Sequence, residues 1–457
     1  MKPIDRKIRW FWGVSEIGFS IMSIMETSFL LYFLTDVAQY PLGLAAVITG
    51  FSAVADALCA VVAGVVIDKV SFKNGKYRPW LLCCPPLVTV SFVFCFTRIG
   101  GDLLAGAVVI TAYVVSHFFW TIAWTANRNL ISVLTDDPEE ISFLSARIAI
   151  GGSLGKIAGS LLVPRLAAAM GSALPGTAAY TTVAAITGCL FMAGYLLHYF
   201  MTKGYERAPA VQKRAAPLGE LFHSVAGNSN LAAVLLHDTI RLVSFYGIAA
   251  SATYYAGIVL RDPSAVTGIL LMFYAGTAAG ACFSRRLSGR FGVRGACAVS
   301  CAACAALHGL CYFSSSIVLT MALLFLAQAG FGAAYGLTSK LYGMCGIYGQ
   351  WRTGKNAQGV VMSLSSLAVK LAVALRGVLI TGVLGLIHYV PDAAAVTPEA
   401  QNHIRLLFFA VFSGIMLLSL IPLAFFRLTD ASVLAMSSDI AARGGAGRDA
   451  GREEAGT

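Results

Sequence analysis

Twelve stretches of this chain are apolar for about twenty residues or more, and nothing else constrains its fold as strongly. They lie approximately at 10–34, 43–67, 80–99, 103–127, 146–165, 178–200, 230–257, 265–284, 295–313, 316–339, 360–388 and 404–426. A helix rises about 1.5 Å per residue, so about 20 residues cross a hydrocarbon core of about 30 Å. Lipid offers no partners to backbone N–H and C=O groups, which leaves helices or a closed barrel. Barrel strands alternate polar and apolar residues, and these runs do not. Only 12% of the 457 residues are charged, against about 25% in an ordinary soluble domain. That fraction cannot coat a water-soluble fold, so a cytosolic enzyme is excluded. The chain is predicted to be an all-α integral membrane protein.

The 11 cysteines are odd in number and lie mostly within apolar runs. Cys297, Cys301 and Cys304 fall on one face of a hydrophobic helix, where cysteine serves as a small apolar side chain. No metal site and no cofactor is expected. The net charge of +11 fits loops that face anionic lipid rather than a nucleic acid. Membrane lipids and a small-molecule substrate are therefore the expected partners, and the chain is expected to be a monomer. The basic start Lys2, Arg6, Lys7, Arg9 leads into an apolar stretch too long for a signal-peptide core, so the first helix is expected to remain.

Six runs, a polar stretch and six more runs predict two six-helix bundles. The expected division is 1–200, a cytoplasmic linker at 201–229, 230–427, and a disordered cytoplasmic tail at 428–457. The linker carries Lys203, Arg207, Lys213 and Arg214 with Pro209 and Pro217. With both termini inside, about 23 of the 33 Lys and Arg residues fall on the cytoplasmic side and four, Arg98, Arg165, Arg261 and Arg405, on the other. Such a layout suits an alternating-access transporter, with substrate bound near the midplane between two repeats. The predicted location is the cell membrane.

Three polar stretches add detail. The loop after the second run reads Asp68-Lys-Val-Ser-Phe-Lys-Asn-Gly-Lys76-Tyr-Arg78-Pro-Trp80. The loop before the eleventh reads Tyr348-Gly-Gln-Trp-Arg352-Thr-Gly-Lys-Asn-Ala-Gln-Gly359. The region after the fourth ends Leu134-Thr-Asp-Asp-Pro-Glu-Glu140, with Arg147 beyond it. Together with Tyr32-Phe-Leu-Thr-Asp-Val37 and Ala55-Asp56-Ala57, the chain from about residue 8 to about 430 resembles the glycoside–pentoside–hexuronide:cation symporters, a melibiose-carrier-like family of the major facilitator superfamily. The resemblance implies the major facilitator fold and uptake of a sugar or glycoside with H⁺ or Na⁺.

It also implies roles for individual residues. Asp56 matches the family's cation-site aspartate, while Ala60 stands where a second aspartate is usual, which leaves fewer hard oxygen ligands for Na⁺ and favours H⁺. Arg147 and Lys370 match substrate or gate contacts. Ser20 and Asn127 stand where the family has a sugar-binding acid and a stacking aromatic, so a galactoside of the usual kind is not the expected cargo. Asp68, Lys76, Arg78 and Arg352 match the loop motifs and are expected to hold an inward gate. Gln350 replaces the acidic member of one of them.

Charges within the runs cost about 2.5–3.5 kcal/mol each at the bilayer centre, so each needs a partner or water. The acids are Glu16, Glu26, Asp56 and Asp238; the bases are Arg128, Arg147, Lys156, Arg241, Lys370 and Arg376. Glu26 is either a second cation-coupling group beside Asp56 or a pairing partner. Asp238 and Arg241, three apart, suit a local ion pair. Glu16 and Arg128 lie near run ends, where snorkelling would serve. Trp124 is a candidate to stack on a sugar ring. His117 and His237 are read first as packed and hydrogen-bonded, with proton transfer the alternative. The excess of bases leaves room for an anionic, uronide-like substrate. An exporter or lipid carrier, or a non-transporting sensor, are the other classes. No catalytic constellation is present at useful spacing.

Overall fold

The computed structural model describes residues 4–70, 72, 75–135, 137–206, 227–354, 358–389 and 397–454. Every expected apolar run is helical. The helices are α1 (Arg6–Val37), α2 (Leu42–Lys69), α3 (Trp80–Cys95), α4 (Asp102–Asn129), α5 (Pro138–Ala173), α6 (Ala178–Met201), α7 (Ser229–Val259), α8 (Ala265–Ala281), α9 (Ser284–Leu310), α10 (Ile317–Thr353), α11 (Gln358–Leu386), α12 (Pro398–Ala424) and α13 (Asp430–Glu454). Among the described residues nine helices are long and apolar enough to cross a membrane, and α3, α8 and part of α2 are shorter apolar helices. Large apolar side chains such as Leu103, Phe313, Val318 and Leu386 are more than 70% exposed. In water they would be a liability; against lipid tails they cost nothing.

The chain divides into two compact units, one of Met1–Gln212, Tyr246–Ala275 and Val373–Phe408, the other of Lys213–Phe245, Gly276–Ala372 and Phe409–Thr457. In the first unit α1 packs on α5 and α6, α3 on α4 and α6, and α2 on α4. Small residues make the approach possible. A Cβ on Gly155 of α5 would stand 2.6 Å from the Ile17 carbonyl of α1, and one on Gly18 would stand 2.5 Å from the Leu190 carbonyl of α6. Between membrane helices such close backbone contact replaces the hydrophobic drive available in water. In the second unit α9 packs on α10 and α12. Its core holds Val293, Cys297, Leu341, Tyr342, Cys345 and Phe426. Cys301 and Cys304 are buried there too, as free thiols.

Among the described residues three helices carry wider π turns: Met25–Phe29 and Phe33–Val37 in α1, Tyr255–Val259 in α7 and Leu407–Val411 in α12. Each adds a residue to one turn and re-aims the side chains that follow.

Two local expectations give way. The tail expected to be disordered forms α13, which lies on α10 through Lys340–Asp430 at 2.7 Å and a Trp351 Nε1–Asp439 hydrogen bond of 3.1 Å. Its first turns bury Val433, a contact invisible in a stretch of low average hydropathy. The loop expected from Tyr348 is still helix as far as Thr353, where Gly354 ends it at φ +72°. Most of the expected linker, including Lys213, Arg214 and Pro217, lies outside the described residues, as do Lys355 and the side chain of Asp68.

Candidate functional site

Four helices of the first unit bring charge together inside the membrane. Glu26 rides on the first π turn of α1 and is 5% exposed; Asp56, on α2, is 6% exposed. His117 of α4 lies between them, its Nε2 3.1 Å from Glu26 Oε2 and its Nδ1 3.3 Å from Asp56 Oδ2. Tyr113, one turn earlier on α4, donates to the other Glu26 oxygen at 3.0 Å and stacks on the imidazole with ring centres 4.0 Å apart. Trp120 closes the other side at 5.0 Å. From α11, the buried Arg376 lies within electrostatic reach of Glu26 and donates to the Thr27 carbonyl in the same π turn and to the Tyr246 carbonyl of α7. A cavity lined by Glu26, Thr49, Ser52, Tyr113 and Arg376 gives about 20 Å³ to the centre of a water-sized sphere, room for about one water.

Asp56, the expected cation-coupling group, and Glu26, expected as a second such group or a pairing partner, share one imidazole. Neither Tyr113 nor Arg376 carried a sequence signal for this role. Arg376 was one of six bases within the runs, and His117 one of two histidines, with no feature to rank either. His237, the other, donates from Nδ1 to the Ser419 carbonyl over 2.8 Å and is part of the packing of the second unit.

A second polar cluster joins α1, α4 and α5. Glu16 Oε1 is 3.4 Å from Arg128 Nη2, Trp124 donates to the same carboxylate, and Lys156 adds its field. The Arg128 guanidinium lies 4.1 Å from the Trp124 ring. Glu16 and Arg128 therefore pair across helices, although their places near span ends had suggested snorkelling. The Glu16 Oε2 atom is buried without a hydrogen-bond partner.

The remaining candidates are dispersed. Asn127 is buried, donating to Ser15 Oγ at 3.1 Å while its carbonyl oxygen stands 2.7 Å from His198 Nδ1. Ser20 is buried against α5 near Gly152 and Gly155. Arg147 lies over the rings of Trp10 and Phe143, at 5.0 and 4.9 Å. Lys370 is half-buried on α11 in the second unit. Lys76 and Arg78 are buried in the α2–α3 loop, whose backbone is held by a residue the sequence did not single out. Glu206 accepts from the N–H groups of Lys76, Tyr77 and Arg78 at 2.6, 2.7 and 2.9 Å. Arg78 also donates to Tyr199 O and covers the Tyr199 ring. In the second unit Arg352 donates to Gly227 O at 2.5 Å.

At the far end of α1 a seam of hydroxyls completes the unit. Thr35 Oγ1 and Tyr254 OH are 2.6 Å apart, and Tyr389 donates to Asp36 at 2.5 Å.

A family profile described as MFS/sugar transport protein matches residues 11–430. The chain belongs to that family. This transporter is 27% identical over 434 residues to a glucuronide carrier protein homolog of Escherichia coli K12, with 92% of each chain covered. It is 25% identical over 445 residues to a protein of the same organism named as a glycoside/cation symporter, covering 95% of this chain and 94% of that one. A solved bacterial homolog of the human lysosomal transporter Spinster, inward-facing and unoccupied, matches with a TM-score of 0.70 at 14% identity, over 96% of this chain and 98% of that one. The transporter is thus a multi-pass, all-helical membrane protein of the major facilitator superfamily, and not an enzyme.

Proposed function

We propose that the transporter carries a sugar or glycoside together with a cation, and that the cation binds at Asp56 and Glu26. The supporting observation is the placement of two intramembrane carboxylates on one imidazole. Unpaired charges at that depth are costly, so a site that takes up and releases a cation sets which loaded states cross the membrane readily. Cation binding lowers the negative charge, substrate binding follows, and the loaded carrier reorients by alternating access. Both termini face the cytoplasm in this reading, on the strength of the Lys and Arg distribution.

The test is Asp56→Asn in proteoliposomes. Gradient-driven accumulation of labelled glycoside should be lost, while exchange of internal for external substrate persists. Accumulation at the wild-type level in that variant removes Asp56 from the coupling step.

The cargo is proposed to be acidic, a uronide. Six basic residues against four acidic ones within the spans suit a carboxylate, which arginine binds bidentately. The similarity to a glucuronide carrier homolog points the same way. Competition of labelled uronide uptake by neutral glycosides and by uronides separates the two, and uptake of the neutral sugar alone rejects the acidic cargo.

A further inference from the structure

We propose that the cation bound at this site is a proton, that its carrier is the imidazole of His117 shared with Glu26 and Asp56, and that Arg376 is the fixed charge that balances it. This rests on the symport reading above and names the ion that reading leaves open.

The geometry itself counts protons. A neutral imidazole has one N–H and one lone pair. Donating to one carboxylate, it must turn the lone pair toward the other, 3.1 or 3.3 Å away. Two lone pairs at that distance repel unless a proton lies between them. Either the imidazole is protonated with both carboxylates ionised, or one carboxyl keeps its proton. Both descriptions give the three groups a net charge of −1. With Arg376 the group is neutral, the form least costly to hold in a membrane interior. Loss of the shared proton leaves two carboxylates across a neutral ring and makes these four groups one unit more negative.

The surroundings agree. The groups facing His117 are Glu26 from α1, Asp56 from α2, and Tyr113 and Trp120 from its own helix, with Arg376 of α11 and the Cys95 thiol of α3 in the field of Glu26. The stacked Tyr113 and tilted Trp120 rings suit a cationic imidazole. Na⁺ is a hard ion best served by several oxygens, whereas here a ring nitrogen occupies the space between the carboxylates. The cavity between Glu26 and Arg376 has room for about one water beside the carboxylate.

Arg376 gives the site its link to the fold. Its guanidinium holds the Thr27 carbonyl of the π turn and the Tyr246 carbonyl of α7. Deprotonation strengthens its pull toward Glu26 at the expense of those bonds.

The decisive measurement needs no substrate. Full-length protein with ¹⁵N-labelled histidine is reconstituted in lipid bilayers, and the His117 resonances are assigned by their loss in His117→Gln. They should report a single titration, with proton affinity reduced about tenfold to a thousandfold in Glu26→Gln and in Asp56→Asn, since each removes one stabilising charge. Arg376→Gln should raise that affinity. A His117 ring that does not titrate, or titrates identically in the carboxylate variants, overturns the proposal. In proteoliposomes an inward proton gradient should drive uptake of p-nitrophenyl glucuronide in the wild type and fail to do so in His117→Gln, with exchange retained. Accumulation driven by a Na⁺ gradient alone overturns the choice of ion while sparing the symport reading. Expected titrations in a protein that accumulates neither glycosides nor uronides refute the symport reading and leave the proton site standing.

Discussion

Buried charge is where single residues matter most. Asp238 and Arg241 form an ion pair, each at most 2% exposed, and Tyr342 and Thr338 add hydrogen bonds to it. Removing one member strands the other: Arg241→Met should cost about 3–5 kcal/mol. The double variant Asp238→Asn/Arg241→Met should recover much of that loss. Thermal unfolding in detergent reads both, and a double variant no more stable than the single one would contradict the pairing. This pair was legible in the sequence because three-residue spacing on a helix guarantees proximity. The His117 site was not. Its members are 30 and 61 residues apart along the chain, and only the convergence of α1, α2 and α4 makes them neighbours. Asn127 shows the opposite limit: its position was matched correctly to a helix, but the sequence could not reveal that Ser15 and His198 occupy its amide.

Elements were read with uneven success, for a physical reason. Apolar length marks a helix in a membrane whatever its neighbours, so each expected run falls on a helix, although α5 and α9 extend eight and eleven residues beyond the expected starts at 146 and 295. Their ends are decided by local contacts, and there α10 outran its expected limit at 339 to reach Thr353. The π turns left no trace, since a single widened turn alters no periodicity over so short a distance. The close pairing of α1 with α5 depends on Gly155. Gly155→Val should force the helices apart and cost about 1–3 kcal/mol by overpacking, seen as a lower unfolding temperature. An unchanged temperature would mean the contact is loose. Deleting 430–457 should also lower it, because α13 contributes Val433 to the core of the second unit and pairs Asp430 and Asp439 with α10. If the truncated protein unfolds at the wild-type temperature, α13 is an appendage.

For the whole molecule, the bilayer acts as solvent and charge as compass. The exposed apolar side chains need lipid, and the proposed orientation, with both termini in the cytoplasm, rests on the Lys and Arg asymmetry. A cytosol-active reporter enzyme fused after residue 457 should therefore work in cells, and one active only outside should not; the reverse result inverts the topology. At this scale the sequence was most informative. Composition excluded a soluble enzyme, and repeated apolar length implied a carrier. Cargo was least accessible, because polar clusters such as Glu16 with Arg128 and Trp124 are assembled across separate helices, here α1 and α4, and sequence order does not reveal them.

The Glu206 clamp carries a lesson for mutational surveys. Its three bonds are made to main-chain amides, so alanine scanning of positions 76 to 78 would leave every one intact. Proline, which has no amide hydrogen, is the substitution that exposes the fastening, and a survey restricted to side-chain truncations would credit this loop with a tolerance it does not possess.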